Sequence, residues 1–277
     1  MKKIVVLGAS GFVGNYCFSE LKKLSDFFVF GTYSSNKKNN LVHLDYIQSK
    51  GFIEIIETIK PDIIIWMAGL KNITLLESNH SLAELHNFLP IKSLVDYQNR
   101  TENKIQFIFI SSDYVFNGKK GEYTTDDLPN PDTTYGKSKV AAEHYIKTNS
   151  PFFTILRVGA IIGKGSLFWD WLTSQLKNDQ KIELYDDIFS PTPIGILFKA
   201  IKKSIEFNLK GIYHVSGGRG ISRYDFGKLI SKFLNPKAIL IKKKRNDNYL
   251  INRSLVRSEV FDNFETLDDF INYYKYD

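Results

Sequence analysis

Lys3-Ile4-Val5-Val6-Leu7-Gly8-Ala9-Ser10-Gly11-Phe12-Val13-Gly14 decides the fold. The continuous run from Lys3 to Leu7 reads as a strand buried on both faces, as in a parallel sheet covered by helices. It stops at Gly8, and a helical pattern runs on through Leu24. Gly8-x-x-Gly11-x-x-Gly14 at a strand-to-helix turn has a physical task. Its glycines let the backbone approach a pyrophosphate, whose charge then rests on free N–H groups at the helix N-terminus. A lone glycine motif is weak evidence. Its place directly behind the first strand makes Gly8, Ser10, Gly11, Phe12, Val13 and Gly14 candidates for holding a dinucleotide.

The next strand is Phe27 to Tyr33. A carboxylate near its end would accept hydrogen bonds from the adenosine ribose of NAD. Here that neighbourhood offers Thr32, Tyr33, Ser34 and Ser35, then Lys37 and Lys38. Nothing repels a 2′-phosphate, and hydroxyls and cations are at hand, which favours NADPH over NADH. The plainer alternative makes Lys37 to Asn40 only a polar loop. Leu41 to Leu44 is a short strand ending at Asp45, an acid suited to the adenine amino group or to a helix N-cap. Ile47 to Ile59 is amphipathic and helical, and Ile63 to Met67 is a strand that ends in the small residues Ala68-Gly69, as a site pressed against a cofactor requires. Ser81 to Tyr97 is helical with Pro90 as a kink or break, and Ile105 to Ile110 is a further apolar strand. Five parallel-type strands alternating with helices predict an α/β fold, a Rossmann-type doubly wound parallel sheet. Ligands of such sheets gather at the carboxyl ends of the strands, where Gly8, Tyr33, Ala68 and Ser112 all fall.

A chain of 277 residues has room for a larger domain with a smaller lobe. Residues 1–155 are expected to form the NADP-binding domain. Residues 156–277, with shorter strands and longer loops, are expected to be mainly a C-terminal substrate-binding lobe, some segments returning to the first domain. The single cysteine, Cys17, excludes an internal disulfide and fits a reducing compartment. No apolar run approaches the ~20 residues of a membrane span, so the expectation is a cytoplasmic protein with no membrane partner. The net charge of +7 raises nucleic acid as a partner, but the one dense basic cluster, Lys242 to Arg245, lies in no nucleic-acid module. The excess charge suits anionic small molecules equally well. His43, His80, His86, His144 and His214 lack ligand spacing, so no metal is expected. Glu122, Asp126 and Asp127 read as a solvated acidic loop rather than as an acid/base pair.

The chemistry concentrates at Ser112 and at Tyr135-Gly136-Lys137-Ser138-Lys139. Tyr135 and Lys139, four apart in a helical stretch, share a face. A free tyrosine, with a pKa of ~10, transfers protons poorly near neutrality. A neighbouring ammonium favours the phenolate and is expected to lower that value. Lys139 can also reach the nicotinamide ribose, and Ser112 can steady charge developing on a substrate oxygen. Tyr-x-x-x-Lys alone occurs by chance; behind a glycine loop and a strand-end serine, chance is a poor explanation.

These motifs together resemble the extended short-chain dehydrogenases/reductases, and most closely their dTDP-4-dehydrorhamnose reductase branch. The resemblance rests on Gly8-x-x-Gly11-x-x-Gly14, Pro61-Asp62-Ile63-Ile64-Ile65 running to Ala68-Gly69, Ser112-Asp113-Tyr114-Val115-Phe116-x-Gly118, Tyr135 to Lys139, Leu156-Arg157, and Gly211 to Gly217. It runs nearly end to end, and the Ser-Asp-Tyr-Val-Phe block is its most specific part. It implies Ser112, Tyr135 and Lys139 as the catalytic triad, with Tyr135 the proton donor. It further implies reduction of a nucleotide-linked 4-keto-6-deoxy sugar for a surface polysaccharide, with a nucleotide-diphosphate sugar as partner and a homodimer compatible with it. Besides Ala68-Gly69, where the family usually has two alanines, the chain departs from the branch in two places. Val158-Gly159-Ala160-Ile161 replaces the usual Thr-Ser-Trp-Val, so Ala160 stands where an aromatic would meet the substrate. The usual Arg-Pro-rich segment is represented only by Lys243-Lys244-Arg245-Asn246.

Candidate substrate contacts are Tyr114, Ala160, Trp169, Thr192 and Arg219. Trp169 and Trp171, two apart in the helical stretch Leu167 to Leu176, cannot share a face, so one is core and the other is free to face a cleft. Ser190-Pro191-Thr192 resembles the branch's Pro-Thr loop, with a surface turn as the plain alternative. Ser222-Arg223-Tyr224-Asp225 is a helix start of the capping-box kind. Arg219 and Arg223 are placed to meet a diphosphate or simply to be solvated. Two rival functions share the fold: an epimerase or dehydratase that recycles bound NAD, and a nucleotide-binding regulatory subunit without catalysis. The missing carboxylate after the second strand counts against the first, and the surviving triad against the second.

Overall fold

The apolar run at the start of the chain forms β1 (Lys2–Leu7), in which Ile4, Val5, Val6 and Leu7 are buried. A strand with no polar face has to be covered on both sides, and the elements that follow supply the cover. The computed structural model describes residues 1–101, 104–178, 181–245 and 250–274. In chain order the elements after β1 are α1 (Phe12–Lys22), β2 (Phe27–Tyr33), β3 (Val42–His43), α2 (Ser49–Ile59), β4 (Ile63–Trp66), α3 (Ile73–Ser78), α4 (His80–Asn87), α5 (Leu89–Thr101), β5 (Gln106–Ser112), α6 (Thr134–Asn149) and β6 (Phe153–Val158). They continue as β7 (Ile161–Ile162), α7 (Leu167–Lys177), β8 (Ile182–Tyr185), β9 (Ile188–Phe189), β10 (Thr192–Pro193), α8 (Ile194–Glu206), β11 (Gly211–Val215), β12 (Ile221–Ser222), α9 (Arg223–Leu234), β13 (Leu240–Lys243) and α10 (Leu267–Tyr274).

Seven strands make one sheet in the order β11-β6-β5-β4-β1-β2-β3. β1 pairs in parallel with β2 and β4, placing Val5 opposite Phe30 on one side and Ile64 on the other, and β4 pairs in parallel with β5. The strand order reverses between β1 and β4, the switch point at which doubly wound sheets open a crevice for a dinucleotide. The doubly wound Rossmann-type sheet is therefore as expected, with two more strands than the sequence suggested. β6 is interrupted by Thr154 and Arg157, and β11 by His214, so neither reads as an apolar run.

The helical stretch expected over Ser81 to Tyr97 is two helices. α4 ends at Asn87 and α5 begins at Leu89. Pro90 thus sits in a first turn, where a missing N–H forfeits no helical bond. α3 was not legible. It starts at Asn72, whose side chain accepts from the Leu75 N–H at 3.1 Å.

Two compact units divide the chain: Met1–Val115 with Pro129–Arg157 and Ile201–Tyr213, and Phe116–Leu128 with Val158–Ala200 and His214–Asp277. The core of the first gathers Val5, Leu7, Phe52, Trp66, Leu94, Phe107, Phe109, Ala142 and Ile155. Trp66, fully buried, meets Phe52 and Phe107 edge-on at 6.2 Å, and its indole N–H donates to the Ala68 carbonyl at 2.9 Å, so the core holds no unpaired indole. The second unit packs Ile162, Trp169, Leu172, Leu184, Phe189, Phe226, Ile230 and Ile271 together. There β8 pairs with β13 in parallel and β9 with β12 antiparallel. Ser222 caps α9 as its sequence predicted: its hydroxyl accepts from the Asp225 N–H at 2.9 Å and donates to the Asp225 carboxylate at 2.7 Å. No helix among the described residues is long and apolar enough to cross a membrane.

Candidate active site

Gly8 adopts φ +86°, and a Cβ there would stand 2.8 Å from the Ala68 nitrogen. A Cβ on Gly14 would stand 2.1 Å from the Gly8 carbonyl oxygen. The first turn of α1 is thus pressed onto the end of β1 in a way no side chain permits. Gly11 caps α1 without a side-chain bond, and the first turn carries no acid. Backbone amides therefore face the end of β1 in a cradle that a Cβ would fill and a carboxylate would repel an anion from. That fits the pyrophosphate of a dinucleotide. Thr32, near the end of β2, fixes the loop by accepting from the Gly8 N–H at 3.3 Å.

At the end of β2, the Tyr33 ring lies 5.2 Å from His43, and the Tyr33 carbonyl accepts from the Leu44 N–H at 2.8 Å. Ser34 and Ser35 follow directly. Lys38 reaches back to α1 and donates to the Asn15 side chain at 3.0 Å. Asp45 accepts from the Ile47 N–H at 3.2 Å. It closes a turn and is not the cap of α2, which is Gln48.

The β4 end is fastened by a residue that the sequence did not flag. Gly69 adopts φ +146°, and a Cβ there would stand 2.7 Å from the Asn87 side-chain oxygen. Asn87 is buried at the end of α4. Its amide oxygen accepts from the Leu70 N–H at 2.8 Å, while its amide nitrogen donates to the Leu70 carbonyl at 2.9 Å and to the Ser138 hydroxyl at 3.1 Å. The Ser138 hydroxyl donates in turn to the Tyr135 carbonyl at 2.7 Å. One amide therefore ties the Ala68-Gly69-Leu70 segment to the helix that carries Tyr135. A lone Asn in a helix has no pattern that would reveal this; only the fold supplies its partners.

Ser112 ends β5, and α6 follows with Tyr135 and Lys139 in its first two turns. Thr133 caps α6, accepting from the Gly136 N–H at 3.0 Å, and Glu77 of α3 accepts from the Thr134 N–H at 2.6 Å and its hydroxyl at 2.9 Å. These bonds hold the Glu77 carboxyl below the usual range. Gly136 is required because a Cβ there would stand 2.1 Å from the Tyr114 carbonyl oxygen. The start of α6 is thereby pressed onto the turn after β5. The Ser112 hydroxyl donates to the Asp113 carboxylate at 3.0 Å and accepts from the Tyr114 N–H at 3.2 Å. The Tyr114 and Tyr135 rings meet edge-on at 5.7 Å. Ser112, Tyr114, Tyr135 and Lys139 are therefore brought together.

The electrostatics differ from the expectation. Lys139 is buried, donates to the Ile110 carbonyl at 3.0 Å, and sits 4.6 Å over the Phe109 ring and 5.8 Å over the Tyr135 ring. Burial lowers its pKa to about 8, against the opposing pull of Glu143. The Tyr135 hydroxyl is not lowered by this ammonium. Burial first, then the Asp113 charge, push it up, and the neighbouring Ser112 hydroxyl only partly counters them. Desolvation of a phenolate outweighs a cation held at ring distance.

In the second unit, two expected substrate contacts are corrected. Trp169 is 2% exposed, packed against Phe226 at 6.3 Å and Phe270 at 5.6 Å, so it is a core residue. Its neighbour Trp171 is the exposed one. Thr192 is fully buried, its hydroxyl turned to the Ser190 and Val215 carbonyls at 3.3 and 3.4 Å, and with Ser190 equally buried this stretch is neither an open loop nor a surface turn. Ala160 is half-buried against the second core. Its neighbour Gly159 is obligatory, since a Cβ there would stand 2.2 Å from the Ser190 carbonyl oxygen. Arg219 pairs with Asp268 at 2.7 Å on the surface, and Arg223 stacks over the Phe168 and Phe189 rings at 4.8 and 4.7 Å. Of the basic segment, Lys243 pairs with Glu183 at 3.0 Å and Arg245 with Asp187 at 2.7 Å, while Asn246 lies outside the described residues. Among the described residues no group of three His, Cys, Asp or Glu is placed to hold a metal ion.

Residues 1–251 match the family described as RmlD substrate binding domain. The chain is 31% identical over 240 residues to dTDP-4-dehydrorhamnose reductase of Aggregatibacter actinomycetemcomitans, covering 82% of this chain and 77% of the relative. It is 27% identical to the Haloferax volcanii protein named "Probable low-salt glycan biosynthesis reductase Agl14", covering 85% and 81% of the two. It is also 25% identical to methionine adenosyltransferase 2 subunit beta of Xenopus tropicalis, over 81% and 70%. Its fold superposes on the crystal structure of Bacillus anthracis dTDP-4-dehydrorhamnose reductase in complex with NADP with a TM-score of 0.86, at 24% identity over 98% and 97% of the chains.

Proposed function

Because the chain belongs to the RmlD substrate-binding family, we propose that it is an NADPH-dependent reductase of a nucleotide-linked 4-keto-6-deoxy sugar, supplying an activated sugar for a surface glycan. The observation that carries this reading is the seating of the first turns of α6 on the turn after β5, with the Tyr135 ring edge-on to Tyr114 at 5.7 Å and Lys139 5.8 Å from the Tyr135 ring centre. The amides at Gly8 to Gly14 would hold the cofactor pyrophosphate. Tyr33, Ser34 and Ser35, with Lys37 and Lys38 nearby, would receive the adenosine end, Asp45 the adenine, and Ala68-Gly69 would lie alongside the chain of the cofactor. NADPH, when bound, supplies the hydride.

Ser112 would hold the substrate carbonyl oxygen, and Tyr135 would protonate it as negative charge develops. A hydroxyl with a raised pKa keeps its proton at neutral pH but is a weaker acid, so the transfer depends on a charge that steadies the phenolate. Lys139, charged below its pKa of about 8, then offsets the phenolate that the transfer leaves behind. Residues 156–277 form mainly the substrate-binding lobe in this reading, with Tyr114, Ala160 and Arg219 as the remaining contact candidates.

A Tyr135→Phe variant should lose turnover by ~10²-fold or more, the scale of positioned acid catalysis, while its dissociation constant for NADPH stays within about twofold. Wild-type turnover in that variant would end the mechanism. The likeness to methionine adenosyltransferase 2 subunit beta favours a second reading, a nucleotide-binding partner of another enzyme. NADPH binding without oxidation in the presence of any keto-sugar would select it.

A further inference from the structure

Lys139 is the one lysine among the described residues that is buried, and what surrounds its ammonium is one carbonyl and two aromatic faces. That setting is a poor exchange for water: an ammonium withdrawn from solvent stays charged only if a negative charge lies near. One turn further along α6 stands Glu143, 3% exposed. Its carboxylate receives the Arg157 guanidinium through Nε at 3.2 and 3.1 Å and Nη2 at 2.8 Å, and the Ser111 hydroxyl donates to it as well. α6, β5 and β6 each contribute one member of this buried cluster; Arg157 belongs to the Leu156-Arg157 pair of the family resemblance, which gave it no role.

We propose that Glu143 is a positioning residue for the reaction: it is the fixed counter-charge that holds Lys139 as an ammonium under the Tyr135 ring, with Arg157 and Ser111 locking the carboxylate in place. The inference rests on Tyr135 and Lys139 being the reacting pair. The remaining charged and titratable groups around α6 have other engagements. Asp113, after β5, accepts from Ser112 at 3.0 Å and acts on Tyr135. Glu77 of α3 is bonded to Thr134, His86 of α4 to the Tyr46 hydroxyl at 2.9 Å, and Lys92 of α5 to Asp96 at 2.6 Å beside Tyr145. Lys139 and Glu143, at i and i+4, share one face of α6, and Glu143 is the group whose charge opposes the effect of burial on Lys139. Among the described residues Glu143 is the one carboxylate whose charge acts on Lys139.

An Arg–Glu pair between α6 and β6 would also brace the fold, and the test separates the two roles. Glu143→Gln alone strands the buried Arg157 cation, so the deciding protein is Glu143→Gln/Arg157→Met, which removes both charges. Lysine Cε resonances of ¹³C-labelled protein are followed with pH, the Lys139 signal being the one absent from Lys139→Met. A fall of the Lys139 midpoint by about one pH unit or more, a tenfold loss of proton affinity, is expected in the double variant. The alkaline limb of kcat/KM should move with it. An unchanged midpoint in a folded double variant with a wild-type pH profile would overturn the proposal and leave the cluster as a brace. The titration needs no substrate. Should the wild-type protein reduce no keto-sugar, the midpoint still decides the role of Glu143, and only the functional reading falls.

Discussion

Tyr135 and Lys139 show how a short motif can be read correctly for placement and wrongly for electrostatics. Spacing puts both on one face of α6, but the depth at which they sit is set by Ile110, Phe109 and Asp113, which are distant in sequence. Burial therefore decides both protonation states. It raises the tyrosine, which remains an acid, and brings the lysine down to about 8. The sign of the pH dependence follows. Below about 8 Lys139 is charged and able to offset a developing phenolate; above it the charge is lost. In the unliganded enzyme's kcat/KM for keto-sugar reduction, the rate should be level toward neutrality and fall about tenfold per pH unit above about 8. A profile level to pH 10 would show that Lys139 carries no such charge.

At the scale of elements, glycines and one asparagine set the site. Gly8, Gly14 and Gly136 were visible in the sequence because each belongs to a compact motif whose spacing is local. Asn87 was not, since its partners Leu70 and Ser138 lie 17 and 51 residues away. The same holds for Glu77, 57 residues from Thr134. Side chains that join one element to another leave no periodic trace. Asn87→Ala should leave the Leu70 amide and carbonyl unpaired in a half-buried setting, at about 1–3 kcal/mol for each unsatisfied group. The expected outcome is a lowered urea midpoint with an unchanged slope, together with a KM for NADPH that rises more than kcat falls. An unchanged midpoint would mean that water replaces the amide fully.

For the whole molecule, the doubly wound sheet was legible from its apolar runs, whereas β6 and β11 were hidden by Thr154, Arg157 and His214. The second unit was less legible still. Its strands are two to four residues long, too short for a period to declare itself, and the choice between Trp169 and Trp171 turned on packing against Phe226 and Phe270. Ala160 stands in place of the aromatic usual in the resembling branch, so the sugar is to be found by assay across nucleotide-linked substrates. The measurement that reaches the central claim is NADPH oxidation by the purified protein with dTDP-, CDP-, GDP- and UDP-linked 4-keto-6-deoxy sugars. Oxidation with at least one of them, stoichiometric with a new alcohol at C4 and abolished in Tyr135→Phe, is the predicted result. NADPH bound but unoxidised with all four would contradict it.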